Sequence, residues 1–356
     1  MIARCRRAWL CFERYVQPRV PAERLGAFRA WVCLVALYDV MLYAGLVRHD
    51  ARAISGDGTV RPWSPIYLFQ VLGVEPIGVD TAAVVYTVTV AALLCGAFGL
   101  LSRWSCAIGA IGFYYWTGLA YSFGKPHHDK VALAIAIAAL PFARVGAGVS
   151  LDALLGRLRG RRPRARHVGG MPIRLTQLTL AFGYSAAGLS KLLIGGTDWF
   201  NGYTLQGIML GHDGEWSRVF ASSVTLAQLQ SIGVVFVQAT FPLVLLWPRA
   251  GWFYLPAALG FHLMTWKTMD TGPYMRVWLL LVAFVPLERV PAEIWRWLRA
   301  GPVAAATAVL VLGAIAALVG TVASRVVPVW ALVALAAVLL GTVVRQRLRE
   351  QPARAR

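Results

Sequence analysis

Long apolar runs alternate with short polar, arginine-bearing segments along most of this chain, and the runs are close to one length. A bilayer core of about 30 Å is crossed by roughly twenty apolar residues in a helix. Stretches of about that size lie near 25–47, 79–101, 104–123, 130–149, 172–194, 226–247, 251–267, 270–287, 301–323 and 326–344. The seventh and eighth are short, with a polar junction between them. The pattern predicts an all-α integral membrane protein, a polytopic bundle of about 8–10 transmembrane helices. Four regions follow: a basic N-terminus over 1–24, a helical domain over 25–290, two additional helices over 301–344, and a basic tail over 345–356.

Composition agrees with a lipid-covered chain. Over 356 residues, 58% are hydrophobic, 14% are charged and mean hydropathy is +0.61, more apolar surface than water would tolerate. A net charge of +19 raises the question of nucleic acid, but all but four of the 35 basic residues are arginine, clustered between the apolar runs. The expected partner is the lipid bilayer, with no nucleic acid. With the N-terminus placed in the cytoplasm, 24 basic residues fall on the cytoplasmic side, eight outside and three within spans. That asymmetry predicts a plasma (inner) membrane protein with both termini cytoplasmic and an even number of spans. The basic loop over 156–170 reads as a solvated linker that sits against anionic headgroups. No repeat suggests inverted transport symmetry. The five cysteines show neither a disulfide framework nor metal-ligand spacing, and no metal site is expected. About twenty polar residues precede the first run, so no cleaved signal peptide is expected.

Ionisable residues inside spans are costly unless they face protein or water, which makes each a functional candidate. Lys191 stands out. Gln177, Ala181, Tyr184, Gly188 and Lys191 recur at intervals of four, three, four and three, one polar and small face along the fifth helix. A lysine at a helix end can also simply snorkel to the headgroups. Directly after it comes a turn-rich stretch containing Gly195, Gly196, Asp198, Trp199 and Gly202, with an aromatic anchor for the interface. His128 opens the fourth helix and His262 lies in the outer half of the seventh, so three helices bring Lys191, His128 and His262 to similar depth. Lone interfacial histidines are commonly just satisfied polar groups. Asp39 and Arg276 also fall in the outer half, where they could neutralise one another as a buried pair. Burial disfavours an ammonium, so a desolvated lysine can serve as a neutral amine base, and neighbouring histidines can hydrogen-bond a developing oxyanion. No nucleophile elbow, phosphate loop, HExxH or dinucleotide fingerprint is present.

Four stretches carry a family likeness. They are Phe98-Gly99-Leu100-Leu101-Ser102-Arg103-Trp104-Ser105-Cys106, then Lys125-Pro126-His127-His128-Asp129, then Ala187-Gly188-Leu189-Ser190-Lys191-Leu192 with Asp198-Trp199 and Gly202-Tyr203, and lastly Phe261-His262-Leu263-Met264. Together, over roughly 25–290, the chain resembles the HTTM (horizontally transferred transmembrane domain) family and the transmembrane domain of vitamin K-dependent γ-glutamyl carboxylases. The resemblance implies that Lys191 is the base that deprotonates reduced vitamin K or another lipid quinol, with His128 and His262 in the same site. In the carboxylases the deprotonated quinol reacts with oxygen, and the strong base so formed removes a glutamate γ-proton before CO₂ adds. Tyr184, Asp198, Trp199 and Arg276 are the candidate cofactor-binding residues.

Two departures from the carboxylase pattern stand out. Carboxylases continue into a large extramembrane region that presents the peptide substrate, whereas two apolar spans and an arginine-rich tail follow here, so protein carboxylation is not expected. Gln238 also stands where bacterial relatives often carry an acidic residue. Three functions remain open at this point: a quinol- and oxygen-dependent enzyme, a non-catalytic membrane module for quinone or lipid binding or partner assembly, and a small-solute transporter.

Overall fold

The computed structural model describes residues 2–56, 61–160, 165–212, 214, 216–269 and 279–288. Arg276, the expected helices over 301–323 and 326–344, and the tail from 345 lie outside the described residues, as does the first half of the span expected at 270–287.

Helices build nearly everything that is described. In chain order they are α1 (Ile2–Val16), α2 (Ala22–Leu42), α3 (Ala44–Ile54), α4 (Tyr67–Leu72), α5 (Val79–Phe98), α6 (Ser102–Ser122) and α7 (Val131–Ala139). After these come α8 (Leu151–Leu158), α9 (Met171–Ser190), α10 (Tyr203–Leu210), α11 (Ser217–Ala221), α12 (Val224–Thr240), α13 (Leu243–Leu246) and α14 (Gly251–Met269). The short antiparallel strands β1 (Arg19–Pro21) and β2 (His167–Gly169) pair Val20 with Val168. Among the described residues, three helical segments are long and apolar enough to cross a membrane: Ala22–Leu42, Val79–Phe98 and Met171–Trp199. The protein is an all-α membrane helix bundle.

Lateral packing runs α6 on α5, α5 on α2, α2 on α7, α7 on α9, α9 on α12, and α12 on α14. Buried residues of α2, α5, α6, α7 and α9 merge into one core that reaches Phe241 and Tyr254. Outward faces carry large apolar side chains, as in Phe182, Leu193 and Ile194 of the α9 segment, which lipid rather than water would cover.

Long-range hydrogen bonds define the two ends of the bundle. At one end, Arg29 is 1% exposed and donates to the carbonyls of Val145 (2.9 Å), Ala97 (3.2 Å) and Val149 (2.7 Å). There the start of α2, the end of α5 and the segment after α7 are held together. Arg24 and Gln177 both donate to the Ala283 carbonyl, bringing the start of α9 and the 279–288 segment to the same end. At the opposite end, Lys130 at the start of α7 pairs with Asp39 of α2 at 2.9 Å and lies over the rings of Tyr43 (3.6 Å) and Tyr121 (4.8 Å). Lys130 is thus a counter-charge for Asp39 among the described residues, while the Asp39–Arg276 pair expected from depth falls on Arg276, outside them. By sequence Lys130 counts among the charges outside the spans, and only the fold carries its head inward.

The fourth apolar run is also shorter than expected. Rather than spanning 130–149, α7 ends at Ala139, continues as a tighter turn over Leu140–Phe142, and gives way to extended backbone at Ala143. Pro141 supplies no N–H to a continuing helix. Because α7 is enclosed between α2, α6 and α9, it need not match the bilayer thickness by itself.

Candidate functional site

The face predicted along the fifth apolar run is realised on α9. Gln177 reaches the Ala283 carbonyl, Ala181 and Tyr184 are buried, Gly188 meets α12, and Lys191 ends the row. A side chain at Gly188 would overlap the Ala239 backbone, so glycine there lets the two helices touch. Close contact at that point puts Lys191 beside Gln238. The Lys191 Nζ donates to Gln238 Oε1 at 3.0 Å and to the Ala187 carbonyl at 3.3 Å, and lies 5.2 Å from the centre of the Trp199 ring. Lys191 itself is half-buried, while Gln238 is 4% exposed.

The backbone changes character at this lysine. After Ser190 the helix widens into a π-turn over Lys191–Gly195, then tightens over Gly196–Trp199. Such π-turns recur at functional positions because the extra residue redirects side chains. A Cβ at Gly195 would overlap the Trp199 ring, so only glycine lets the indole fold back under the lysine. From α12, Ser231 Oγ donates to the Trp199 carbonyl and Gln228 donates to that of Phe200 at 2.8 Å. Gln228, Ser231, Val235 and Gln238 follow one another at three, four and three, so one face of α12 holds both the turn and the lysine.

A second cluster lies two turns along α9. The Tyr184 hydroxyl and His262 Nε2 of α14 are 2.6 Å apart, and both residues are buried. A neutral imidazole accepts the phenolic proton's hydrogen bond at that nitrogen. The Tyr184 ring stacks on Phe241 at 4.4 Å, and Phe241 follows Gln238 by three residues. Thus Lys191 with Gln238, and Tyr184 with His262, are adjacent rungs between α9 and its neighbours, separated by about 10 Å of helix rise.

The remaining candidates are placed differently. His128 is exposed at the start of α7, at the same end of the bundle as Lys191 and beside the buried Asp129 and Lys130. Asp198 is exposed and contributes its carbonyl, which accepts from Thr204 Oγ1 at 2.7 Å. Trp199 is half-buried against the lysine. Arg276 lies outside the described residues. Phe241 and Lys130 are not singled out by sequence. Phe241 resembles any other span aromatic there, though its spacing from Gln238 is a usable signal.

The family model described as the HTTM domain matches residues 17–287. No curated protein and no solved structure matches the chain.

Proposed function

Taking as premise that the chain belongs to the HTTM-domain family, we propose that the Lys191 corner is the base of a lipid-quinol site in a quinol- and oxygen-dependent membrane enzyme. The observation that carries this reading is the neutral setting of Lys191: its partners among the described residues are an amide oxygen, a backbone carbonyl and an indole face. No described carboxylate pairs with the amine, which leaves it available to take up a proton from a ligand. Leu193 and Ile194, next to it, are 82% and 84% exposed, an apolar approach that suits a lipid-soluble ligand.

Reduced vitamin K or a related quinol would supply, when bound, the phenolic O–H groups and the reducing equivalents consumed with oxygen. Lys191 Nζ takes up the phenolic proton. Gln238 Oε1, the Ala187 carbonyl and the Trp199 ring then stabilise the ammonium formed. His262, held by Tyr184, and His128 at the same end as the lysine orient the quinol oxygens, while Trp199 offers a ring face. The basic end is proposed to face the cytoplasm from the plasma membrane, which puts the Lys191 corner toward the outer leaflet.

Purified protein incubated with reduced vitamin K and oxygen is expected to produce the epoxide, and Lys191→Ala to stop it. Epoxide formation undiminished in Lys191→Ala would overturn the assignment of the base. The second reading, a quinone- or lipid-binding module without turnover, is favoured by Gln238 itself: an amide cannot relay the proton onward as a carboxylate would. Saturable quinol binding with no product across several quinols would select it.

A further inference from the structure

A large groove opens at the Arg29 end of the bundle, remote from Lys191. Its volume is about 1360 Å³, and its walls are the start of α2, the α5–α6 turn, the segment after α7, α8 and the approach to β2. Two kinds of side chain line it. Arg103, Arg144, Arg159 and Arg166 come from four separate stretches of chain and are all exposed. The same groove is lined by Trp104, Phe142 and Leu101, which are 69%, 78% and 67% exposed.

The groove also contains two acids, and one of them is engaged structurally. Asp152 accepts from the backbone N–H of Leu101 (2.9 Å) and of Ser102 (2.8 Å) and from Ser102 Oγ (2.7 Å), capping α6. Its carboxylate holds the left-handed turn at Leu101, φ +48°, that turns this leucine outward. Glu23 is the other acid. Four guanidinium groups against two carboxylates leave the groove positive.

We infer that this groove is a binding site for the headgroup of an anionic phospholipid. Guanidinium groups match phosphate oxygens in pairs, and Trp104 has the amphipathic character of an interfacial anchor. A soluble phosphate would satisfy the arginines but leave the apolar wall in water. A phospholipid meets both, its phosphodiester among the arginines and its acyl chains along Trp104, Phe142 and Leu101.

The test is native mass spectrometry of the full-length protein titrated with phosphatidylglycerol or phosphatidylcholine. One phosphatidylglycerol is expected to be retained saturably, and phosphatidylcholine much more weakly. Each arginine near the headgroup contributes about fivefold, so Arg103→Gln/Arg144→Gln/Arg159→Gln together should weaken retention about 100-fold. Arg144→Gln alone, the mildest change, should weaken it about fivefold. Arg48→Gln/Arg52→Gln, on α3 at the opposite end, should change it less than about twofold. Thermal unfolding of each variant reads the fold separately. Equal retention of the two lipids, a triple variant that remains folded and binds unchanged, or competition by glycerol phosphate as effective as by the lipid would each overturn the site.

Discussion

Two lysines at the same end of the bundle are held in opposite ways, and their substitution should separate them. Lys130 and Asp39 are both buried and 2.9 Å apart, with side chains 4% and 1% exposed. Removing one partner of a buried ion pair leaves the other charge in a medium that cannot solvate it, at a cost of about 3–5 kcal/mol. Lys130→Ala is therefore expected to lower the thermal midpoint sharply in detergent. Lys191 has only neutral described partners, so Lys191→Ala leaves no described carboxylate stranded. An intramembrane lysine costs up to about 3 kcal/mol on insertion scales, which offsets the cost, about 1–3 kcal/mol, of leaving the buried Gln238 oxygen without its donor; its loss should leave the midpoint nearly unchanged while quinol-dependent turnover disappears. A large drop in the midpoint of Lys191→Ala would assign the residue to structure. Tyr184→Phe removes the hydroxyl 2.6 Å from His262 and should cost about 1 kcal/mol, read in the same unfolding experiment.

At the scale of elements, the α9–α12 contact decides whether the Lys191 corner exists. Gly188 lies where a methyl group would overlap the Ala239 backbone, and overpacking a tight contact costs about 1–3 kcal/mol. Gly188→Ala should push the helices apart, lengthen the Lys191–Gln238 contact and reduce both stability and turnover. On the same helix, a methyl group added at Gly183 would meet nothing within 4 Å. Gly183→Ala is expected to leave turnover unchanged and, by relieving the conformational entropy of glycine, to stabilise by about 0.5–1 kcal/mol. Equal losses in the two variants, measured as unfolding midpoints and epoxide yield, would remove the contact from the explanation. The periodicity that makes α9 legible is local to it. Its partner face on α12 is harder to read, because Gln228, Ser231 and Gln238 are uncharged hydrogen-bonders spread through an apolar run.

For the whole molecule, Arg29 ties one end of the bundle together, and the charge asymmetry of the sequence sets the expected orientation. Arg29 satisfies three carbonyls from α5 and the segment after α7. Arg29→Met keeps the volume but strands acceptors that cost about 1–3 kcal/mol each when buried without partners; a loss of at least about 3 kcal/mol is expected in denaturant titrations. The arginine asymmetry counted along the sequence predicts that a reporter fused to the C-terminus is active only in the cytoplasm. Activity confined to the other face would reverse the proposed orientation.

The apolar runs, their spacing and the 4-3-4-3 face of α9 were written in the sequence, because helical periodicity and the length needed to cross a bilayer are properties of consecutive residues. The same holds for the arginine asymmetry. Tertiary structure alone decided which side chains meet: Lys191 with Gln238, 47 residues apart, Tyr184 with His262, 78 residues apart, and Lys130 with Asp39 across α2 and α7. It also gathered four arginines into one groove. Those outcomes depend on how each helix is rotated and how far it slides against its neighbours, and in an apolar span many rotations bury similar area. Small residues such as Gly188, buried charges that must find a counter-charge, and prolines that stop a helix are what select one of them.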